Sequence, residues 1–94
     1  MNYVYIIYSK SLDKYYIGET FNLQKRIIEH NSGFYKFSFT KQVKDWILYH
    51  FIECDSKNQA RKIETHIKKM KSKVYIQNLK KYPEISLKLK AKYC

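Results

Sequence analysis

The chain has 94 residues, 45% hydrophobic and 17% aromatic, and its 19 Lys+Arg against 8 Asp+Glu give a formal net charge of +11. That length suits one domain with a modest core; the aromatic content excludes a disordered basic tail, and no stretch reaches the roughly 20 apolar residues of a membrane helix. The positive field attracts polyanions through a salt-dependent, sequence-independent term, so nucleic acid is the expected partner; no lysine-rich helix with a bulky apolar face argues for a membrane.

The N-terminus, Met1-Asn2-Tyr3-Val4-Tyr5, has no basic region and no apolar run of signal length, so a cytoplasmic location is expected. Cys54 and Cys94 are far apart and match no zinc spacing. Cys54 reads as a buried thiol and Cys94 as a solvated end.

Tyr3 to Tyr8 is entirely β-branched or aromatic and predicts a buried strand. Ser9 to Lys14 is turn-like, and Tyr15-Tyr16-Ile17-Gly18 predicts a second strand paired as a hairpin. Gly18 permits a bend or a close backbone approach. A helix follows, capped by Thr20 or Asn22. Leu23 and Ile27 face its core, with Arg26 and His30 one turn apart, and Asn31-Ser32-Gly33 stops it. Phe34 to Asp45 reads as a basic aromatic loop, with Lys36, Lys41 and Lys44 as candidate phosphate contacts. Trp46 to Ile52 is apolar on both faces and predicts a central third strand.

Ser56 and Gln59 form a capping box for a second long helix. Ala60, Ile63, Ile67 and Met70 make its apolar stripe, with Glu64 at the stripe's edge. Lys68, Lys69, Lys71 and Lys73 follow, and Lys68 and Lys69 join the candidate backbone contacts. Val74 to Leu79 predicts a short helix. The tail from Glu84 to Tyr93 alternates apolar and polar residues, the period of an edge strand, and a disordered tail fits equally. The expected fold class is α/β (α+β). A three-stranded antiparallel sheet is flanked by helices in the order β-β-α-β-α-α, with a possible C-terminal strand. Residues 1–82 form the domain and 83–94 the tail.

Tyr3-Val4-Tyr5, Tyr16-Ile17-Gly18, the run Asn22 to Asn31 with Arg26 and His30, and Ala60-Arg61-Lys62-Ile63-Glu64 stand in one order and spacing. Together they resemble the GIY-YIG nucleases, above all the small one-domain members. The resemblance runs from Tyr3 to about Leu79.

It implies metal-dependent hydrolysis of phosphodiester bonds in DNA, with RNA as an open alternative; a module this small has little surface for reading bases, so low sequence specificity is expected. One divalent ion, Mg²⁺ or Mn²⁺, would be held by Glu64; such ions take few protein carboxylates and keep several waters. Arg26 offers a planar fork to the scissile phosphate. His30 bonds the phosphate or shares a proton with a tyrosine. Tyr5 is the implied general base, and Tyr16 the residue that orients the water or meets the phosphate. Asn78 lies near the place of an asparagine that many members carry beyond the glutamate. Two departures stand out: Tyr3 replaces the first glycine, and Glu19 follows Gly18 where some members have lysine. The rival reading is a non-catalytic nucleic-acid-binding module that kept the fold. Without the resemblance, Glu64 is a helix carboxylate paired with Lys68.

Overall fold

A computed structural model describes residues 1–33 and 39–94; the side chains of Phe39 and Lys41 lie outside that description. The strands are β1 (Asn2–Ser9), β2 (Lys14–Thr20) and β3 (Trp46–Cys54). The helices are α1 (Leu23–Asn31), α2 (Lys57–Met70), α3 (Lys73–Lys81) and α4 (Pro83–Lys92), with a short 3₁₀ turn over Phe39–Gln42. The expected α/β class and antiparallel three-stranded sheet are present, with one helix more than expected.

The strand order is β2-β1-β3. The central strand is therefore β1, and the expectation that the third strand is central is corrected. The reason lies in burial: Val4 to Ile7 are all buried, whereas in β3 Ile47, Leu48 and Phe51 are exposed. A strand that is apolar on both faces can still lie at an edge when one of its faces meets little.

Alternation along β1 divides the core in two. Val4 and Ile6 face α2, α3 and α4, packing with Ala60, Ile63, Ile67, Ile76, Leu79 and Leu89. Tyr5 and Ile7 face the other way, toward Trp46, Leu23 and Ile27 under α1. Burying each such aliphatic side chain contributes about 1.5–3 kcal/mol. A register shift between Ile6 and Ile7 against β3 marks a bulge, which adds local twist.

The helix caps follow the sequence. Asn22, rather than Thr20, caps α1 by accepting the Lys25 amide at 3.1 Å. Ser56 accepts the Gln59 amide at 3.0 Å, and the Gln59 side chain reaches back to the Asp55 amide at 2.7 Å. The end of α1 does more than stop a helix. Asn31 receives the Trp46 amide and donates to the Trp46 carbonyl, both at 2.8 Å, which pins α1 to the start of β3. Asp45 similarly accepts Ser9 Oγ at 2.6 Å and the Ser11 amide at 2.9 Å, tying β3 to the hairpin.

The tail is a correction. Residues 83–92 form α4, not an edge strand or a disordered segment. Pro83 opens it at a position where a missing amide costs nothing. The alternation of Ile85, Leu87 and Leu89 concealed an i, i+4 pair: Ile85 and Leu89 pack on the core, and Leu87 is left 67% exposed. Gln59 Nε2 donates to the Lys90 carbonyl at 3.1 Å, fastening α4 to the start of α2.

Among the described residues, no helix is long and apolar enough to cross a membrane. Cys54 is buried and Cys94 exposed, both free thiols, as expected.

Candidate active site

The hairpin places Tyr5 opposite Gly18 and Ile7 opposite Tyr16. Directly paired residues share a face, so Tyr5, Tyr16 and Gly18 all look toward α1. The pairing explains the glycine. A Cβ on Gly18 would stand 2.5 Å from Tyr5 Oη and 2.6 Å from its Cζ. The ring of Tyr5 therefore occupies the space that any larger residue at position 18 would need.

From the other side, α1 lowers His30 onto the same spot. Tyr5 Oη and His30 Nε2 are 2.7 Å apart, and His30 Nδ1 lies 2.8 Å from Thr40 Oγ1. Tyr5, His30 and Thr40 are 1%, 2% and 0% exposed. The Tyr16 ring stands edge-on to His30, with centroids 5.0 Å apart. Two tyrosines and a histidine thus converge on one spot.

Burial, reinforced by the neighbouring charge of Arg26, pushes the His30 imidazole down to about 4. His30 is therefore neutral at pH 7, with one ring nitrogen donating and the other accepting. Each flanking hydroxyl can take the complementary role, so either tautomer is satisfied.

The depression has a stability consequence. An unfolded histidine titrates near 6.5, so below that pH the unfolded chain binds a proton that the folded chain refuses. The stabilisation is complete above pH 6.5 and is lost as pH falls toward 4. Thermal melts should show Tm falling from pH 7 to pH 5, by an amount matching about 2 kcal/mol. The His30→Gln protein should lose much of that slope. Equal slopes in both proteins would show that His30 is not the group responsible. Burial lowers His50 and His66 in the same direction, so a residual slope is expected.

Arg26 sits one turn before His30 with its side chain 32% exposed, and its Nε is 3.6 Å from Glu29 Oε1. It lines a shallow hollow of about 90 Å³ together with Thr20, Asn22 and Lys25.

Glu64 comes from the other layer, on α2. Its Oε2 accepts from Lys68 Nζ at 2.8 Å, and its side chain is 18% exposed. Arg61, one turn away on the same flank, lies 3.8 Å from Glu19 of β2. That flank therefore runs beside the edge strand β2, whose opposite face carries Tyr16. Glu19, unlike a lysine at this place, is balanced by Arg61.

Among the described residues, no group of three or more His, Cys, Asp or Glu is gathered to hold a metal. A site with many protein ligands is thus not built there. One partly exposed carboxylate fits a hard cation that keeps most of its waters.

The other expected residues scatter. Lys44 and Lys69 are exposed, Lys68 is taken by Glu64, and Lys36 and the side chain of Lys41 lie outside the described residues. Asn78 is half-buried on α3, and its carbonyl accepts the Tyr82 amide at 2.7 Å. Thr40, which completes the histidine's hydrogen bonds, was not singled out from sequence. A threonine in a basic loop carries no signal of its own.

Residues 1–81 match the model of the GIY-YIG catalytic domain, a nuclease-type domain. A curated relative, a "UPF0213 protein" of Syntrophus aciditrophicus (strain SB), is 42% identical over 84 residues, covering 88% of this chain and 94% of its own length. No solved structure matches the chain significantly. The matched span takes in both tripeptides, the Arg26–His30 helix and Glu64, and the chain belongs to the GIY-YIG family.

Proposed function

We propose that the chain is a metal-dependent endonuclease that hydrolyses phosphodiester bonds in DNA with low sequence specificity. The observation that carries this is the convergence of Tyr5, Tyr16 and His30 from two strands and a helix, with Arg26 one turn away. A structural tyrosine needs a partner for its hydroxyl. It does not need a second tyrosine, a buried neutral histidine and an arginine fork beside it.

The roles divide by exposure. Tyr5 is 1% exposed and Tyr16 half-buried. Tyr16 is accordingly the more accessible of the two, and in this reading its hydroxyl orients the attacking water toward phosphorus. Tyr5 acts from behind, holding the neutral His30 in place as His30 abuts the Tyr16 ring. The family resemblance alone assigned the base to Tyr5; burial favours Tyr16 for contact with the water. Arg26 offers two donors to the non-bridging phosphate oxygens, whose charge grows as the bond to the leaving oxygen breaks. Glu64 would hold the divalent ion, which when bound supplies electrophilic stabilisation of that same charge. Lys68 would give up its bond to Glu64 and remain as a local cation.

The test is cleavage of supercoiled plasmid. The protein should nick it in Mg²⁺ or Mn²⁺ and leave it intact in EDTA. Salt-sensitive binding with no nicking in either metal would instead make the chain a non-catalytic binding module.

A further inference from the structure

A groove of about 570 Å³ runs along α2, lined by Arg61, Lys62, His66, Lys69 and Met70 of that helix and by Tyr93, just beyond α4. Its charged lining residues are Arg61, Lys62 and Lys69, all cations. Its floor is softer. Met70 is 45% exposed, and His66 Nδ1 lies 2.9 Å from Tyr93 Oη, with the two rings 5.7 Å apart and edge-on. Lys92 Nζ stands 5.4 Å from the centre of the Tyr93 ring. His66 is lowered first by burial and then by the charges of Lys92 and Lys69, so these cations crowd one place. The family match ends at residue 81, so Tyr93 is an addition to the matched domain.

From this arrangement we infer that the groove between α2 and the end of α4 binds an unpaired stretch of nucleic acid, with a base against Tyr93 and Met70 and the backbone along Arg61, Lys62 and Lys69.

The chemistry selects the occupant. A rim of cations alone would take any polyanion. An apolar, aromatic floor beneath that rim takes an anion with a flat apolar part, and a nucleotide has both. In a duplex the base faces are stacked inside, so a ring on the protein meets only an unpaired base. A hollow of this size is within the range that holds a ligand larger than one base.

The groove also adjoins the flank of α2 that carries Glu64. Arg61 lines it and faces Glu19 of β2, and Glu64 follows Arg61 by one turn of the helix. The inference rests on the nucleic-acid reading of the chain but not on its cleavage chemistry.

The experiment measures binding of a fluorescein-labelled single strand of about 20 nucleotides, and of the matching duplex, in EDTA at about 0.15 M salt. EDTA removes cleavage from the readout. With a net charge of +11, any reversal of lysines weakens binding, so the comparison is between matched pairs. Lys62→Glu with Lys69→Glu should weaken single-strand binding about tenfold more than Lys10→Glu with Lys88→Glu, which carry the same charge change on exposed positions elsewhere. Tyr93→Ala should weaken single-strand binding by about 5- to 50-fold and duplex binding by less than about twofold. Tyr93→Phe keeps the ring, loses the bond to His66, and should stay within about twofold of the parent.

Equal losses in the two double reversals would overturn the inference. So would an unchanged single-strand affinity in Tyr93→Ala, or equal losses for single strand and duplex. A protein that shows this binding pattern but never nicks plasmid would keep the groove and lose the nuclease reading. One that nicks plasmid without the pattern would do the reverse.

Discussion

Arg26→Ala should lose at least about 10³-fold in plasmid nicking while melting within a few degrees of the parent, and Arg26→Lys should lose about 10²–10³-fold. Both magnitudes follow from where the charge stands. Arg26 lies half-buried on the flank of α1, 32% exposed, and pairs with Glu29 at an (i, i+3) distance of 3.6 Å. Such a surface pair contributes little to stability, so its loss should leave the fold standing. The catalytic demand is different. As the phosphorus–oxygen bond breaks, negative charge grows on the non-bridging oxygens, and a fixed fork of donors stabilises it without reorganising. Lysine keeps the charge but not the fork.

The same variant carries a second readout that is independent of DNA. The charge of Arg26 helps hold His30 down near 4. Removing it should raise the His30 titration, as followed by NMR of the ring protons. If Arg26→Ala neither slows nicking nor moves His30, Arg26 is a solvated helix arginine.

Gly18→Ala should destabilise the protein by about 1–3 kcal/mol and reduce nicking at least tenfold. The penalty is steric. The new Cβ would meet Tyr5 Oη, Cζ and Cε1 at 2.5, 2.6 and 2.7 Å. The Tyr5 ring cannot swing aside freely, because it is 1% exposed and its hydroxyl is engaged with His30. Pushing it away stretches that bond and disturbs the surface against which Tyr16 packs. A double-mutant cycle isolates the effect. In a Tyr5→Ala background the ring is gone, and Gly18→Ala should cost almost nothing further. An undiminished penalty in that background would mean that the glycine is needed for something other than space.

Gly18 also shows how much of the site the sequence carried. The two tripeptides, the Arg26–His30 spacing and Glu64 were legible, because each is a local pattern on one strand or one helix. The sequence marked Gly18 as a place for a bend or a close approach. Only the pairing of Tyr5 with Gly18 decides for the approach, and pairing register belongs to the sheet rather than to any segment. Asn31 repeats the lesson. It read as a helix stop, and it is also the clamp on both backbone groups of Trp46. That clamp spans 15 positions of chain, beyond the reach of local pattern.

The errors were equally physical. Trp46 to Ile52 reads as central because it is apolar on both faces, yet Ile47 is 59% exposed on an edge strand. The alternating tail looked like a strand because Leu87 sits between Ile85 and Leu89. Its exposure costs α4 little, because Ile85 and Leu89 pack on the core. In each case hydrophobicity does not equal burial, and tertiary context chooses which apolar residues are covered.

The proposed function assigns Glu64 to the reaction rather than to the helix. Its visible partner is Lys68, at 2.8 Å, and an (i, i+4) pair of this kind stabilises a helix by only about 0.3–0.5 kcal/mol. The decisive measurement is plasmid nicking in Mg²⁺ and in Mn²⁺ by two variants that each remove that ion pair, Glu64→Gln and Lys68→Gln. The metal-holding role predicts that Glu64→Gln is inactive in both ions, at an unchanged melting temperature, while Lys68→Gln still nicks. If Glu64→Gln nicks as fast as Lys68→Gln, the carboxylate is a helix ion pair and the active site lies elsewhere.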